Sequence, residues 1–325
     1  MQVYLHLLYL LPLLFSTSTL AAPRDASKRC VSTISKYDGV KTAISKIGAL
    51  TVPAGKALDL SGLKTGTKVT VTGDVTFAGP KEWEGPMFVI DGTDITFNGG
   101  GHTFDGQGKK YWDGKGGNGG KTKPKMMKVK MSGSFSNLKV LNAPVHTFSI
   151  GNKKALKVSG VTVDNSAGDE LGSDGKSLGH NSDCFDVSAS DVTFDGNTCL
   201  NQDDCFAINA GSHITISNNH CSGGHGLSIG SIKSDAIVSD VKITGNTVIN
   251  SDNGLRIKIQ ILLIQISNIN FGSGNTIGVT SKAKYGVYVL CGSGSCTGKW
   301  DWSGLKVTGG KNSISGKPPI TGFTA

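Results

Sequence analysis

One short text recurs along the middle of this chain at a spacing that a stack of like units explains. Asp183-Cys184-Phe185-Asp186-Val187, Asp204-Cys205-Phe206-Ala207-Ile208, His225-Gly226-Leu227-Ser228-Ile229 and Asn253-Gly254-Leu255-Arg256-Ile257 share one pattern of apolar positions. Asp183, Asp204 and His225 are 21 residues apart in both steps, which predicts equivalent places on successive coils. Period-two alternation turns Phe185/Val187, Phe206/Ile208, Leu227/Ile229 and Leu255/Ile257 inward and sends Arg256 and Lys258 outward onto one face.

A second series says the same. Ile95-Thr96-Phe97-Asn98, Val161-Thr162-Val163-Asp164, Val192-Thr193-Phe194-Asp195, Ile214-Thr215-Ile216-Ser217 and Val241-Lys242-Ile243-Thr244 each read as a short strand followed by a polar turn. Asn197, Asn219 and Asn246 fall at matching places, with steps of 22 and 27 residues. Asn suits such turns because it tolerates left-handed backbone and can hydrogen-bond a ladder of its own kind. The fold expected is all-β, a single-domain right-handed parallel β-helix of stacked coils. A β-sandwich also offers many short strands but leaves the aligned columns unexplained.

Composition agrees. In 325 residues there are 46 Gly, only 7% aromatics and no long amphipathic helical pattern. Residues 4–20 form an apolar stretch ending in Thr19-Leu20-Ala21, which reads as a secretory signal cut after Ala21, so that residues 1–21 are removed. Residues 22–29, ending in Lys28-Arg29, read as a propeptide, and the mature domain is then 30–325. Secretion permits disulfides, and the local pairs Cys205/Cys221 and Cys291/Cys296 are the expected bridges. Cys30, Cys184 and Cys199 are left over. No Cys-x-x-Cys pair points to zinc.

The net charge of +9, with lysines at 109, 110, 121, 123, 125, 128 and 130, favours a polyanionic partner. The lysine run is broken by glycines and reads as a solvated loop, and no nucleic-acid module accompanies it. An acidic polysaccharide fits a secreted protein better than nucleic acid does, and no membrane partner is expected once the signal is gone.

The chemistry lies in four signatures, Asn181-Ser182-Asp183, Gln202-Asp203-Asp204, Gly224-His225-Gly226 and Arg256-Ile257-Lys258. Strict alternation would turn Asp183, Asp204 and His225 into the core, where unpaired carboxylates are costly. They are therefore expected at the beginning of each strand, where a bend breaks the parity. Three carboxylates, an imidazole and two cations then converge. Like charges raise at least one carboxyl pKa, which yields a proton donor beside ionised groups able to activate water, as glycoside hydrolysis requires.

These signatures resemble the four of family 28 glycoside hydrolases, specifically the fungal polygalacturonases. The resemblance extends from the Cys30 region through Tyr111-Trp112-Asp113-Gly114 and Ala143-Pro144-Val145-His146 to the segment Cys291–Cys296. It implies cleavage of α-1,4-galacturonan by single displacement with inversion, without metal or other cofactor; the lack of long insertions that would close one end of the cleft favours endo action, and a monomer is expected. By position it makes Asp203 the general acid and Asp183 with Asp204 the groups that activate water. His225 is implied to tune or hydrogen-bond the acid. Arg256 and Lys258 are implied to bind the galacturonate carboxylate, with Asn181, Gly224 and Tyr285 as further substrate-binding positions.

Ser182 departs from the family's Thr. After Lys258 the apolar run Ile259–Ile266 stands where the family has a Gly/Ser/Thr-rich turn and a further coil, so an irregular or shortened end is expected after residue 258. Rival readings are a calcium-assisted lyase, an exo-acting or rhamnogalacturonan hydrolase, and an inactive polysaccharide-binding remnant.

Overall fold

Alternation between buried and exposed positions on mostly short strands winds the chain into stacked coils. The computed structural model describes residues 33–34, 45–232, 236–259, 265–280 and 283–324. The expected signal, propeptide and Cys30 lie outside them, as do residues 260–264 of the apolar run. The strands stack in parallel as a 20-stranded and a 10-stranded sheet, with a two-stranded pair near the C-terminus. The larger sheet makes two of three faces, because the strand Asp204–Ser217 runs through the corner between them. This is a right-handed parallel β-helix.

The expected columns are present in register. Phe185 pairs with Phe206, Phe206 with Leu227, Leu227 with Leu255 and Leu255 with Val287. Val187, Ile208, Ile229, Ile257 and Val289 form the companion column, and all of these side chains are buried. Phe148, Phe185 and Phe206 stack with ring centroids 5.1 Å apart at each step. Each such side chain contributes roughly 1.5–3 kcal/mol by leaving water, and the column extends the core along the whole helix axis.

Three details differ from the sequence reading. Val161 does not belong with its supposed equivalents. The strand Thr162–Asp164 lies in the 10-stranded sheet, and Leu156–Ser159 fills the place between Gly133–Ser136 and Val192–Asp195. Both segments alternate, so periodicity alone does not separate them. The Asn ladder is present, since Nδ2 of Asn197, Asn219 and Asn246 each donates to Oδ1 of the next Asn, ending at Asn275. Its left-handed residue, however, is the one before each Asn: Gly196, Asn218, Gly245 and Gly274 have positive φ. The ladder Asn keeps ordinary backbone and spends its amide on the neighbouring coil.

The lysine run is not one solvated loop. Lys109 and Lys110 close a short 3-10 turn and Lys128 sits in the strand Met127–Val129. Lys123 is buried, its Nζ 2.8 Å from Oδ1 of Asp113 and donating to the carbonyls of Gly116 and Lys121. This lysine is a staple for the glycine-rich segment.

Beyond Lys258 the stack continues. The strand Asn253–Lys258 pairs with Tyr285–Leu290, which pairs with Lys311–Ser315. Both expected disulfides, Cys205–Cys221 and Cys291–Cys296, are formed, and Cys184 and Cys199 are buried free thiols.

Candidate active site

The four signatures meet on one face. Asp183 lies two residues before the strand Phe185–Ser188, Asp204 opens Asp204–Ser217, and His225 immediately precedes Gly226–Ile229. The carboxylates therefore stand at strand starts, each about 6% exposed. The first 21-residue step holds, since the amide of Cys184 donates to the carbonyl of Asp204 and Phe185 pairs with Phe206. The second does not. A register shift between Asp204 and Phe206 sets Asp204 against Gly226 and brings His225 onto Asp203, whose carbonyl accepts the His225 amide at 2.9 Å. This extra residue lets two adjacent carboxylates face different partners.

Asp203 belongs to the imidazole. Its Oδ1 lies 3.0 Å from Nδ1 of His225 and accepts the Asp204 amide at 2.8 Å, while Oδ2 accepts Nδ2 of Asn181 at 3.2 Å. Burial favours the neutral acid, but the His225 hydrogen bond and charge, the Asp204 amide and Arg256 together hold its pKa below the ordinary value. His225 is correspondingly raised by its hydrogen bond to Asp203.

Asp204 belongs to the guanidinium. Nη2 of Arg256 lies 2.7 and 3.0 Å from its two oxygens, and Ser228 Oγ donates to Oδ1 at 2.6 Å while accepting from Arg256 Nε at 3.1 Å. Burial raises Asp204 to about 6 against the pull of Arg256. Asp183 has no such partner. Its buried Oδ1 accepts no hydrogen bond among the described residues, and burial with the charges of Asp203 and Asp186 pushes it up to about 8.

In the free protein the order is thus Asp203 lowest and Asp183 highest, the reverse of what a simple assignment of Asp203 as the protonated acid anticipates. The physical reason is His225: Asp203 and its imidazole form a unit that carries a proton between Oδ1 and Nδ1. The ligand atoms of Asp203, Asp204 and His225 also lie within 4.8 Å of one another. Positive charge is already supplied there, since Arg256 engages both oxygens of Asp204.

Cavities flank the cluster on both sides. One of about 430 Å³ is lined by His225, Asp252, Asn253, Arg256, Lys258, Lys284, Tyr285 and Tyr288. The other, about 760 Å³, is lined by the segment 116–123 with Glu84, Lys125, Val145, His146, Asn181 and Ser231. Tyr285 therefore stands beside Arg256 and Lys258, paired through Asn253, with the Lys284 ammonium 5.3 Å from its ring centroid. Asn181 lines the larger of these two cavities and also donates to Asp203. Gly224 is packed on the backbone of Asp203, so that its constraint is the close approach to that residue.

Sequence reasoning gave no site role to His146, Asp186, Ser228 or Lys284. Ser228 shares the outward column of Arg256 and was open to the same parity argument. His146 and Asp186 meet only through the stacking of coils.

The profile of Glycosyl hydrolases family 28 matches residues 43–275. This chain belongs to that family. Endopolygalacturonase A of Aspergillus flavus is 42% identical over 344 residues, taking in 91% of this chain and 88% of the relative. A polygalacturonase of Cochliobolus carbonum is 43% identical over 316 residues, with 83% and 84% covered. Among solved structures, endopolygalacturonase I of Stereum purpureum complexed with two galacturonates superposes with a TM-score of 0.77 at 39% identity, over 89% of this chain and 98% of that one. The family 28 chain described here is accordingly a glycoside hydrolase.

Proposed function

We propose that the protein is a secreted endo-polygalacturonase that hydrolyses α-1,4-galacturonosyl bonds of polygalacturonate with inversion, as a monomer and without metal. The observation that carries this reading is the buried carboxylate cluster lying between two open cavities, one of them lined by Arg256, Lys258 and Lys284. Two cavities reaching the cluster, one through His225 and Arg256 and the other through His146 and Asn181, suit a polymer bound on either side of the cleaved bond. The basic and tyrosine side chains suit uronate carboxylates and sugar faces.

In the proposed reaction Arg256, Lys258 and Tyr285 hold the galacturonate beside the cluster. The Asp203–His225 unit gives its proton to the glycosidic oxygen as the bond to the anomeric carbon breaks. A water attacks that carbon from the opposite face and passes its proton to the carboxylate of Asp183 or Asp204. Asp204 is the readier of the two to be ionised, given the Arg256 pair.

The test is incubation with polygalacturonate plus a chelator, following viscosity, reducing ends and unsaturated product together. Fast loss of viscosity with new reducing ends and no unsaturation is expected, reduced by about 10²–10⁴-fold in Asp203→Asn. Unsaturated product that disappears with chelator would identify a lyase. Binding without new reducing ends would identify a polysaccharide-binding remnant.

A further inference from the structure

His146 sits on the coil preceding that of Asp183, and the amide of the next residue, Thr147, donates to the Asp183 carbonyl at 2.8 Å. Its ring is clamped at one end, Nδ1 lying 2.8 Å from Oδ2 of Asp186. The other end, Nε2, faces Oδ1 of Asp183 at 4.0 Å. That oxygen is the buried acceptor that no described residue satisfies. A histidine serving only to brace the fold would spend both nitrogens on fixed partners. Here one nitrogen is fixed and the other is aimed at the least compensated carboxylate of the site.

We propose that His146 is a positioning residue that, as an imidazolium held by Asp186, opposes the upward push on Asp183 and so lowers the pH at which that carboxylate is ionised and able to take a proton from the attacking water. The inference rests on the hydrolase reading above. At 4.0 Å the contact is an ion pair rather than a hydrogen bond, so its effect is on charge state. Burial pulls the His146 pKa down, yet the hydrogen bond to Asp186 and the charges of Asp186 and Asp183 carry it above its ordinary value. Lys125 opposes this from the cavity side, where Glu84 and Lys121 also stand. Facing Asp183 are Asp203, Asp186 and Asp204, all of which resist its ionisation, and His146, which favours it.

Two measurements decide the matter. In His146→Gln, which keeps a polar amide without the charge, the acid limb of the kcat/KM profile should move to higher pH. Activity one pH unit below the new limb should be about tenfold down relative to the variant's own maximum, with the alkaline limb, set by the Asp203–His225 unit, left in place. Separately, NMR titration of the His146 ring should show a lower apparent pKa in Asp183→Asn than in the native protein, because the coupling is reciprocal. An acid limb that stays in place, with or without a uniform loss of rate, overturns the proposal. So does a His146 titration indifferent to Asp183→Asn. A native protein that hydrolyses nothing sinks the proposed function instead, and the titration then decides the ion pair by itself.

Discussion

Gly224 lies directly over the main chain of Asp203. Its φ is +56°, and a Cβ placed on it would overlap the Asp203 carbonyl oxygen, the same oxygen that accepts the His225 amide at 2.9 Å. The glycine is thus required by the close approach of its backbone to Asp203, whose carbonyl also holds His225.

Gly224→Ala should therefore displace Asp203. We expect kcat to fall on the order of 100-fold, since small misplacements of reacting groups cost about that much, while the protein remains folded. Gly175→Ala is the control. Its φ is +72° with no atom within 4 Å of a new Cβ, so it should cost about 1 kcal/mol of stability through backbone strain and leave kcat unchanged. Equal activity loss in both variants would contradict the argument.

Arg256→Lys tests the guanidinium fork. Arg256 spans both oxygens of Asp204 and Ser228 Oγ, and one ammonium does not match that geometry. The acid limb associated with Asp204 should rise above about 6, because a cation that favours its ionisation is weakened. Arg256→Ala leaves a buried carboxylate without its partner and should cost about 3 kcal/mol in denaturant unfolding. Unfolding curves that coincide with the native one would show the pair to be energetically idle.

Stability should fall as pH rises from 5 to 8. Asp183 at about 8 and Asp204 at about 6 both bind protons more tightly in the folded state than at the ordinary value of 3.8. Their contribution is full below about 4 and is lost as pH rises through about 6 and then about 8. His146 and His225, also raised, act in the same direction, whereas Asp203, which is lowered, acts in the opposite one as pH falls. Calorimetric Tm against pH should show the decline, and Asp183→Asn should flatten it. The same slope in the variant would remove Asp183 as its cause.

Asn219→Ala should destabilise the coil stack. Asn219 Oδ1 accepts both the amide and Nδ2 of Asn197, and its own Nδ2 donates to Asn246 and to the Phe194 carbonyl. Losing it strands several buried groups at about 1–3 kcal/mol each. Asn312→Ala, at an exposed position outside the ladder and with ordinary backbone, should stay within about 0.5 kcal/mol. Comparable unfolding midpoints for the two would argue against the ladder as a stabilising element.

The sequence by itself determined the coil, the inward columns and which polar signatures meet on one face. Phe185, Phe206, Leu227 and Leu255 are legible as equivalents because strand periodicity is local, and an apolar column must be written into every coil that it crosses. The two disulfides were legible for the same reason, each closing a short local loop. Segments that alternate equally well on different faces were not, which is why Val161 was matched with the wrong face.

What only the tertiary structure decided is which group each carboxylate answers to. The extra residue between Asp204 and Phe206 is invisible in a run that keeps its 21-residue spacing, yet it hands Asp203 to His225 and Asp204 to Arg256. His146 reaches Asp183 from the neighbouring coil, 37 residues away in the chain. Charge state depends on distance and burial, and both arise from the stacking of coils rather than from the order of residues along one of them.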